Sequence, residues 1–333
     1  MVEFPSPGAA RLYFANSACS GHDRLAVAEH GFSLRFTDPA AMLAWCEAAA
    51  VNLPSSLPAS EAGRLLGHLG NAHRVCCNFS EAEIYLQQAQ EAAPADPLIL
   101  EFYASLKKDR RQLSAATTFL SRAANLRRGS GDNIGHIKTL LNSSLVLDEA
   151  GFPGQAAEGT LAAIEIIGSL PPSEERERLA RAGFQSLATY LVNSGQAQEA
   201  LWVVRRCKER LLMGGEVFGL RIDWLMADIA GALGELESAV LTYQEVRQSF
   251  IDLGHSQEVA VVTLDLARLL LKSHPQQAQQ EAQSIWPIFD ALGISRSSRE
   301  AKLLTEVIET LAEPPLVELS AALRCSTLAR RRT

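Results

Sequence analysis

Residues 63–96 read GRLLGHLGNAHRVCCNFSEAEIYLQQAQEAAPAD, and their spacing predicts one helical hairpin. Leu66, Leu69, Gly70 and His73 form an apolar stripe with small gaps, Ala82, Leu86 and Ala89 form a second, and Pro94 falls where a helix should have ended. Gly70, Ala82 and Ala89 are small, as two antiparallel helices require wherever they approach closely. The same frame returns 34 residues on: Leu66, Ala82, Leu86 and Ala89 are matched by Leu100, Ala116, Leu120 and Ala123, so residues 97–130 read as a second copy.

Beyond that point the units lengthen but keep an inner turn of glycine, four residues, alanine: Gly151 to Ala156, Gly195 to Ala200, Gly234 to Ala239. Glycine suits the left-handed cap of a first helix, and alanine lets the second helix pack against it. A sixth copy turns at Ser273-His274-Pro275 and carries Ala278, one residue short of the pattern if Ala267 is its small first-helix residue. The run Phe250 to Gly254 (FIDLG) recurs 39 residues later as Phe289 to Gly293 (FDALG), marking the hand-over between units.

Outward from the repeats, residues 1–21 hold Pro5, Pro7 and Gly8 without a period and read as a loose lead-in. Residues 22–60 read as an atypical capping hairpin. Its second helix is N-capped by Asp38, has Pro39 at its first position, and carries Ala40, Leu43, Ala44, Ala48 and Val51 on one face. Residues 61–296 then hold about six hairpins, and residues 297–333 hold capping helices (297–311 and 316–323) and a basic tail ending Arg330-Arg331-Arg332.

The Leu66, Gly70, Ala82, Ala89, Pro94 pattern and its shifted copies resemble the tetratricopeptide repeat (TPR) family over roughly residues 60–312. The longer units ending in Phe-x-x-Leu-Gly are similar to the long-repeat arrays of bacterial signalling regulators. The resemblance implies an all-α, right-handed superhelical solenoid of antiparallel hairpins, whose first helices line a concave groove for a peptide or partner protein. It places the groove positions on Asn71, Arg74, Lys138, Asn142, Gln185, Thr189, Arg221, Trp224, Asp228, Asp265 and Arg268. Amides and guanidinium groups there offer several donors at fixed spacing, suited to a peptide backbone or a carboxylate. Arg221, Trp224 and Asp228 stand at i, i+3 and i+7, so all three leave one face of a helix. Gly67 stands where the chaperone-tail clamp of some TPR domains carries lysine, which argues against that ligand.

Composition narrows the function further. In 333 residues, 47% are hydrophobic, enough to bury a large core, and the formal charge of −7 with a pI near 5.6 argues against a body built to neutralise phosphate backbones. Six irregularly spaced cysteines, most of them in apolar stretches, fit reduced, packed thiols and a cytoplasmic protein. The N-terminus lacks a basic start followed by an apolar run, and every long apolar run is cut by charge, so neither secretion nor a membrane span is expected.

No phosphate-binding glycine loop, Gly-x-Ser-x-Gly elbow or His-Glu-x-x-His helix occurs. The alternation of Glu174, Glu175 and Glu177 with Arg176 and Arg178 reads as a solvated first turn. His68, His73, Cys76 and Cys77 could share a helix side, but regular packing explains His73 and Cys77 and no Cys-x-x-Cys supplies further ligands, so no metal is assigned. No cofactor is assigned either. The expected function is a nonenzymatic protein- or peptide-binding scaffold or regulatory adaptor. The alternative is a nucleic-acid-binding module built on the basic second repeat, where Lys107, Lys108, Arg110 and Arg111 are joined by Arg122, Arg127 and Arg128. Oligomeric state is not legible.

Overall fold

The computed structural model describes residues 4–16, 21–35, 37–271 and 273–291. Among them there are sixteen α-helices and no strand. The chain divides into two compact units, Met1–Glu149 and Ala150–Thr333. The expected terminal helices at 297–311 and 316–323, and the basic tail, lie outside the described residues.

The first unit opens with α1 (Pro7–Asn16), α2 (Gly21–Ser33) and α3 (Pro39–Ala50). Residues 7–16 of the stretch expected to be a loose lead-in are therefore helical. Pro7 sits at a helix start, where a missing N–H costs nothing, and the Ser6 hydroxyl accepts from the Ala9 N–H at 3.2 Å. Ala10 and Phe14, one turn apart, then bury against Trp45, Ala48 and Ala49 of α3. Arg24 of α2 ties the three helices together from a fully buried position. Its guanidinium donates to the carbonyls of Ala49, Val51 and Phe14 at 2.7–2.9 Å and lies over the Phe14 ring. Asp38 caps α3 by accepting from the Ala41 N–H. The buried face of α3 is Met42, Trp45, Cys46, Ala48 and Ala49; Ala48 of the expected face is thus inside, but Ala40 is exposed, so the face read from the alanines is displaced.

Two hairpins follow: α4 (Ala59–Val75) packs on α5 (Phe79–Ala92), and α6 (Pro97–Asp109) on α7 (Leu113–Gly129), with α8 (Asn133–Glu149) against α7. The four alanines of the 34-residue frame, Ala82, Ala89, Ala116 and Ala123, are all fully buried, and Leu86, Leu100 and Leu120 nearly so. The need for smallness is steric: a Cβ on Gly70 would lie 2.7 Å from the Leu86 side chain across the hairpin.

The second unit contains α9 (Pro153–Ser169), α10 (Glu174–Asn193), α11 (Ala197–Arg206), the short α12 (Lys208–Leu212), α13 (Glu216–Ala232), α14 (Leu236–Asp252), α15 (Ser256–Leu270) and α16 (Pro275–Ala291). The hairpins are α10 with α11, α13 with α14 and α15 with α16. Gly195 and Gly234 turn two of them at φ of +82° and +85°, in the left-handed region, and Ala200 and Ala239 five residues on are fully buried. Gly151 has the same conformation before α9. In the third, Ala267 and Ala278 are both fully buried. Phe250, from the recurring hand-over motif, is buried in a cluster with Ala227, Tyr243, Val262 and Leu266.

Candidate functional site

Within the second unit, the first helices α10, α13 and α15 bury one stripe and present another. On α13 the buried stripe is Ile222, Leu225 and Ile229; on α15 it is Val262, Leu266 and Leu270. The residues between those stripes open on a cavity of about 770 Å³. Its walls carry Gln185 and Thr189 from α10, Arg221, Trp224 and Asp228 from α13, and Asp265 and Arg268 from α15. Seven expected groove positions are thus brought together in one place. The volume lies within the range of pockets that bury a small ligand.

The polar groups of this cavity are arranged in pairs. Arg221 donates to Glu258 of α15 at 3.0 Å, and Arg268 pairs with Asp265 on the same helix. His255 stands 3.5 Å from Glu258. Asp228 instead accepts a hydrogen bond from the Tyr243 hydroxyl of α14. Burial, then the neighbouring Asp265 charge, push the Asp228 carboxyl up to about 7, against the opposing effects of the Tyr243 bond and Arg268. Burial and the same two carboxylates also raise the Tyr243 hydroxyl. Near neutrality the Asp228 carboxyl is therefore partly protonated, and a cation placed beside it would displace that proton.

Trp224 has two roles. It packs half-buried against the Ala227, Val262 and Leu266 cluster while also lining the cavity. Its indole N–H is buried without an acceptor among the described residues. Thr189 donates to its own helix at the Gln185 carbonyl, 3.1 Å away, which leaves the hydroxyl's acceptor side for other bonds.

The other expected groove residues fall elsewhere. Asn71 is a correction: it is 1% exposed and faces the interior of its hairpin, so it offers nothing to a surface ligand. Arg74 donates to the Asn71 side chain and pairs with Asp109 at 2.5 Å. Lys138 and Asn142 are exposed on α8 of the first unit, Asn142 beside a recess of about 40 Å³.

The basic second repeat is also different from its reading in sequence. Lys107 and Arg110 reach Glu83 at 2.7 and 3.1 Å, Lys108 reaches Asp109 and Glu149, and Arg111 reaches Glu149 at 2.5 Å. Arg127 is clasped by Glu101 and Asp132. Glu83 shows the effect: burial favours its neutral form, but bonds from Lys107 and Tyr103 and the charges of Lys107 and Arg110 hold its carboxyl below the usual range. The four cations are compensated in place rather than presented as an unneutralised patch for phosphates.

The histidines and cysteines of α4 have separate surroundings. His73 stacks on Tyr85, with centroids 5.2 Å apart. His68 lies edge-on to Phe32 and Phe102, and burial lowers its imidazole to about 4. The Cys76 thiol points to the Pro39 carbonyl, and Cys77 is exposed in the turn. The acids at the start of α10 sit in a first turn capped by Ser173, with Glu175 paired to Arg178.

Sequence reasoning did not identify Tyr243, Gln257, Glu258 or Asn193 as cavity residues. Tyr243 carried a signal: it lies four residues after Ala239 on a buried stripe, and a buried phenol needs a partner.

Compared by sequence, the chain matches no family model and no curated protein. Compared by structure, it is similar to a Rap protein in complex with competence and sporulation factor, at 12% identity over 93% of this chain and 88% of that one, TM-score 0.67. It is also similar to aspartyl phosphate phosphatase F from Bacillus subtilis, at 12% identity over 90% of this chain and 73% of that one, TM-score 0.58. A third is the Rap conjugation gene regulator of plasmid pLS20 in complex with the Phr* peptide, at 12% identity over 93% and 98%, TM-score 0.53. The chain has an all-α, TPR-like solenoid fold. No helix among the described residues is long and apolar enough to cross a membrane.

Proposed function

We propose that the chain is a peptide-binding regulatory adaptor whose ligand enters the cavity on α10, α13 and α15. The observation that carries this reading is the convergence of amide, guanidinium, carboxyl and indole groups from three helices on one opening of about 770 Å³. Such a set matches an extended peptide, which presents backbone acceptors and donors at regular intervals beside its side chains. Two of the structures with this fold hold a factor or a peptide by their own descriptions, which supports the same reading. The hairpins of residues 61–296 would form the working body, in a cytoplasmic setting.

A displayed library of random short peptides, selected on the purified full chain and titrated by fluorescence anisotropy, tests it. Enriched peptides should lose about 2 kcal/mol or more of affinity on Trp224→Ala, the loss expected of a central aromatic anchor. Peptides that bind Trp224→Ala and Arg268→Ala as tightly as the parent would place their site elsewhere. We further propose that the adaptor is nonenzymatic. Because one structural neighbour is a phosphatase by its description, acetyl phosphate is the informative probe, and release of inorganic phosphate above the uncatalysed rate would refute this part.

A further inference from the structure

The helix that follows the Gly195 turn has a side that the cavity does not use. α11 and α12 run on as one amphipathic stretch across Cys207. The Cys207 N–H donates to the Val203 carbonyl and the Leu211 N–H to the Cys207 carbonyl, both at 3.0 Å and both in the i to i−4 pattern of an α-helix. Burial keeps one period through the junction: Ala200, Val204 and Leu211, at i, i+4 and i+11, are all inside. The opposite side is Trp202, Arg206, Glu209 and Met213, at i, i+4, i+7 and i+11, and all four are exposed.

Large apolar side chains stand in solvent at both ends of this strip. Trp202 is 65% exposed and Met213 78% exposed, with Leu212 beside it also in solvent. The charge between them is one-sided. Residues 202–213 hold four cations, Arg205, Arg206, Lys208 and Arg210, and a single acid, Glu209, in a chain whose formal charge is −7. Arg210 pairs with Glu177 at 2.8 Å and Lys208 lies within electrostatic reach of Asp223, so these two form the edges of the strip. Arg205 and Arg206 are exposed and have no ion-pair partner among the described residues, unlike the compensated run Lys107 to Arg111.

We propose that this strip docks the protein onto an anionic phospholipid surface. Charge complementarity and shape carry the argument together. Tryptophan and methionine beside unpaired arginines are the composition of a segment that lies among lipid headgroups, its apolar side chains in the acyl boundary and its guanidinium groups on the phosphates. The strip is also a ridge, since none of its residues borders either cavity described above. A protein partner would have to supply a pocket for each projecting side chain, whereas a fluid lipid surface closes around a ridge of any shape. The association is peripheral, requires no spanning helix, and is independent of the cavity reading.

Co-sedimentation of the full chain with vesicles reads the outcome, comparing pure phosphatidylcholine with equal parts of phosphatidylcholine and phosphatidylglycerol. Binding is expected on the mixed vesicles alone, and it should weaken as salt rises. Arg205→Glu with Arg206→Glu should lower the partition coefficient by about ten-fold or more, and Glu209→Lys, which removes the acid of the strip, should raise it by a similar factor. Trp202→Ala with Met213→Ala should also release the chain. Circular dichroism melts of these variants should match the parent, because every substituted side chain is exposed. A chain that stays in the supernatant with the mixed vesicles at low salt overturns the proposal, and retention on polyuridylate in that case assigns the strip to nucleic acid instead. Equal binding to pure phosphatidylcholine, or binding indifferent to the arginine reversals and to Glu209→Lys, overturns it as well.

Discussion

Asp228→Asn tests the electrostatics of the cavity through folding stability. In the folded chain the carboxyl is pushed from an ordinary value of 3.8 up to about 7 by burial and by Asp265. Between those two pH values the unfolded chain has released this proton and the folded chain still holds it, so stability must fall as pH rises through the window. At about 1.4 kcal/mol per pH unit the ceiling is about 4 kcal/mol. Water in the open cavity screens the carboxyl, and about 2 kcal/mol is the expected size. Asparagine keeps an acceptor for the Tyr243 hydroxyl and removes the titration. Urea unfolding of parent and variant from pH 4 to 8, read by hydrogen exchange of α13 amides, gives the difference between them. The parent should lose stability relative to Asp228→Asn across the window, most steeply near its middle and levelling off above pH 7. Parallel curves would mean that Asp228 is ionised in the folded state and that the cavity holds no displaceable proton.

Two further expectations concern the scaffold. Ala200→Leu forces a bulky side chain into a fully buried contact between α10 and α11, and should cost about 1–3 kcal/mol in chemical denaturation; an unchanged midpoint would show that the hairpin does not close there. Cys77 holds φ of +63° in an exposed turn, so Cys77→Gly should relieve left-handed strain and raise stability by about 0.5–1 kcal/mol after the entropy of a freer unfolded chain is offset, with a fall in melting temperature as the contrary result.

The same turn explains how much of the fold was legible. Gly195 and Gly234 announce a left-handed residue because glycine adopts it without steric cost, and the alanine five residues later confirms the frame. Cys77 and Arg111 occupy the equivalent position in the first two hairpins, at φ of +63° and +60°, five residues before Ala82 and Ala116. No side-chain pattern reveals that conformation, so the shared turn emerges only in three dimensions. The opening helix was hidden for a related reason. Pro5, Pro7 and Gly8 resemble loop punctuation, yet a proline at the first helical position is compatible with a helix, and what decides the matter is the burial of Phe14 under Arg24. In α3, alanines on two faces blurred the period, and the larger Met42 and Trp45 settled which face is inside.

For the site, the residues that converge and those that do not differ in what surrounds them. From Gln185 to Arg268 the expected positions lie between strongly apolar stripes on long first helices, so the register fixes where each side chain points. Asn71 followed the same register but sits in α4, where Gly67, Gly70 and Ala72 let neighbouring helices close in and bury it. The Lys107 to Arg111 run shows a complementary limit. A linear sequence displays its own charges but not those that folding brings beside them, and Glu83 and Glu149 lie 24 and 38 residues away from the cations they compensate.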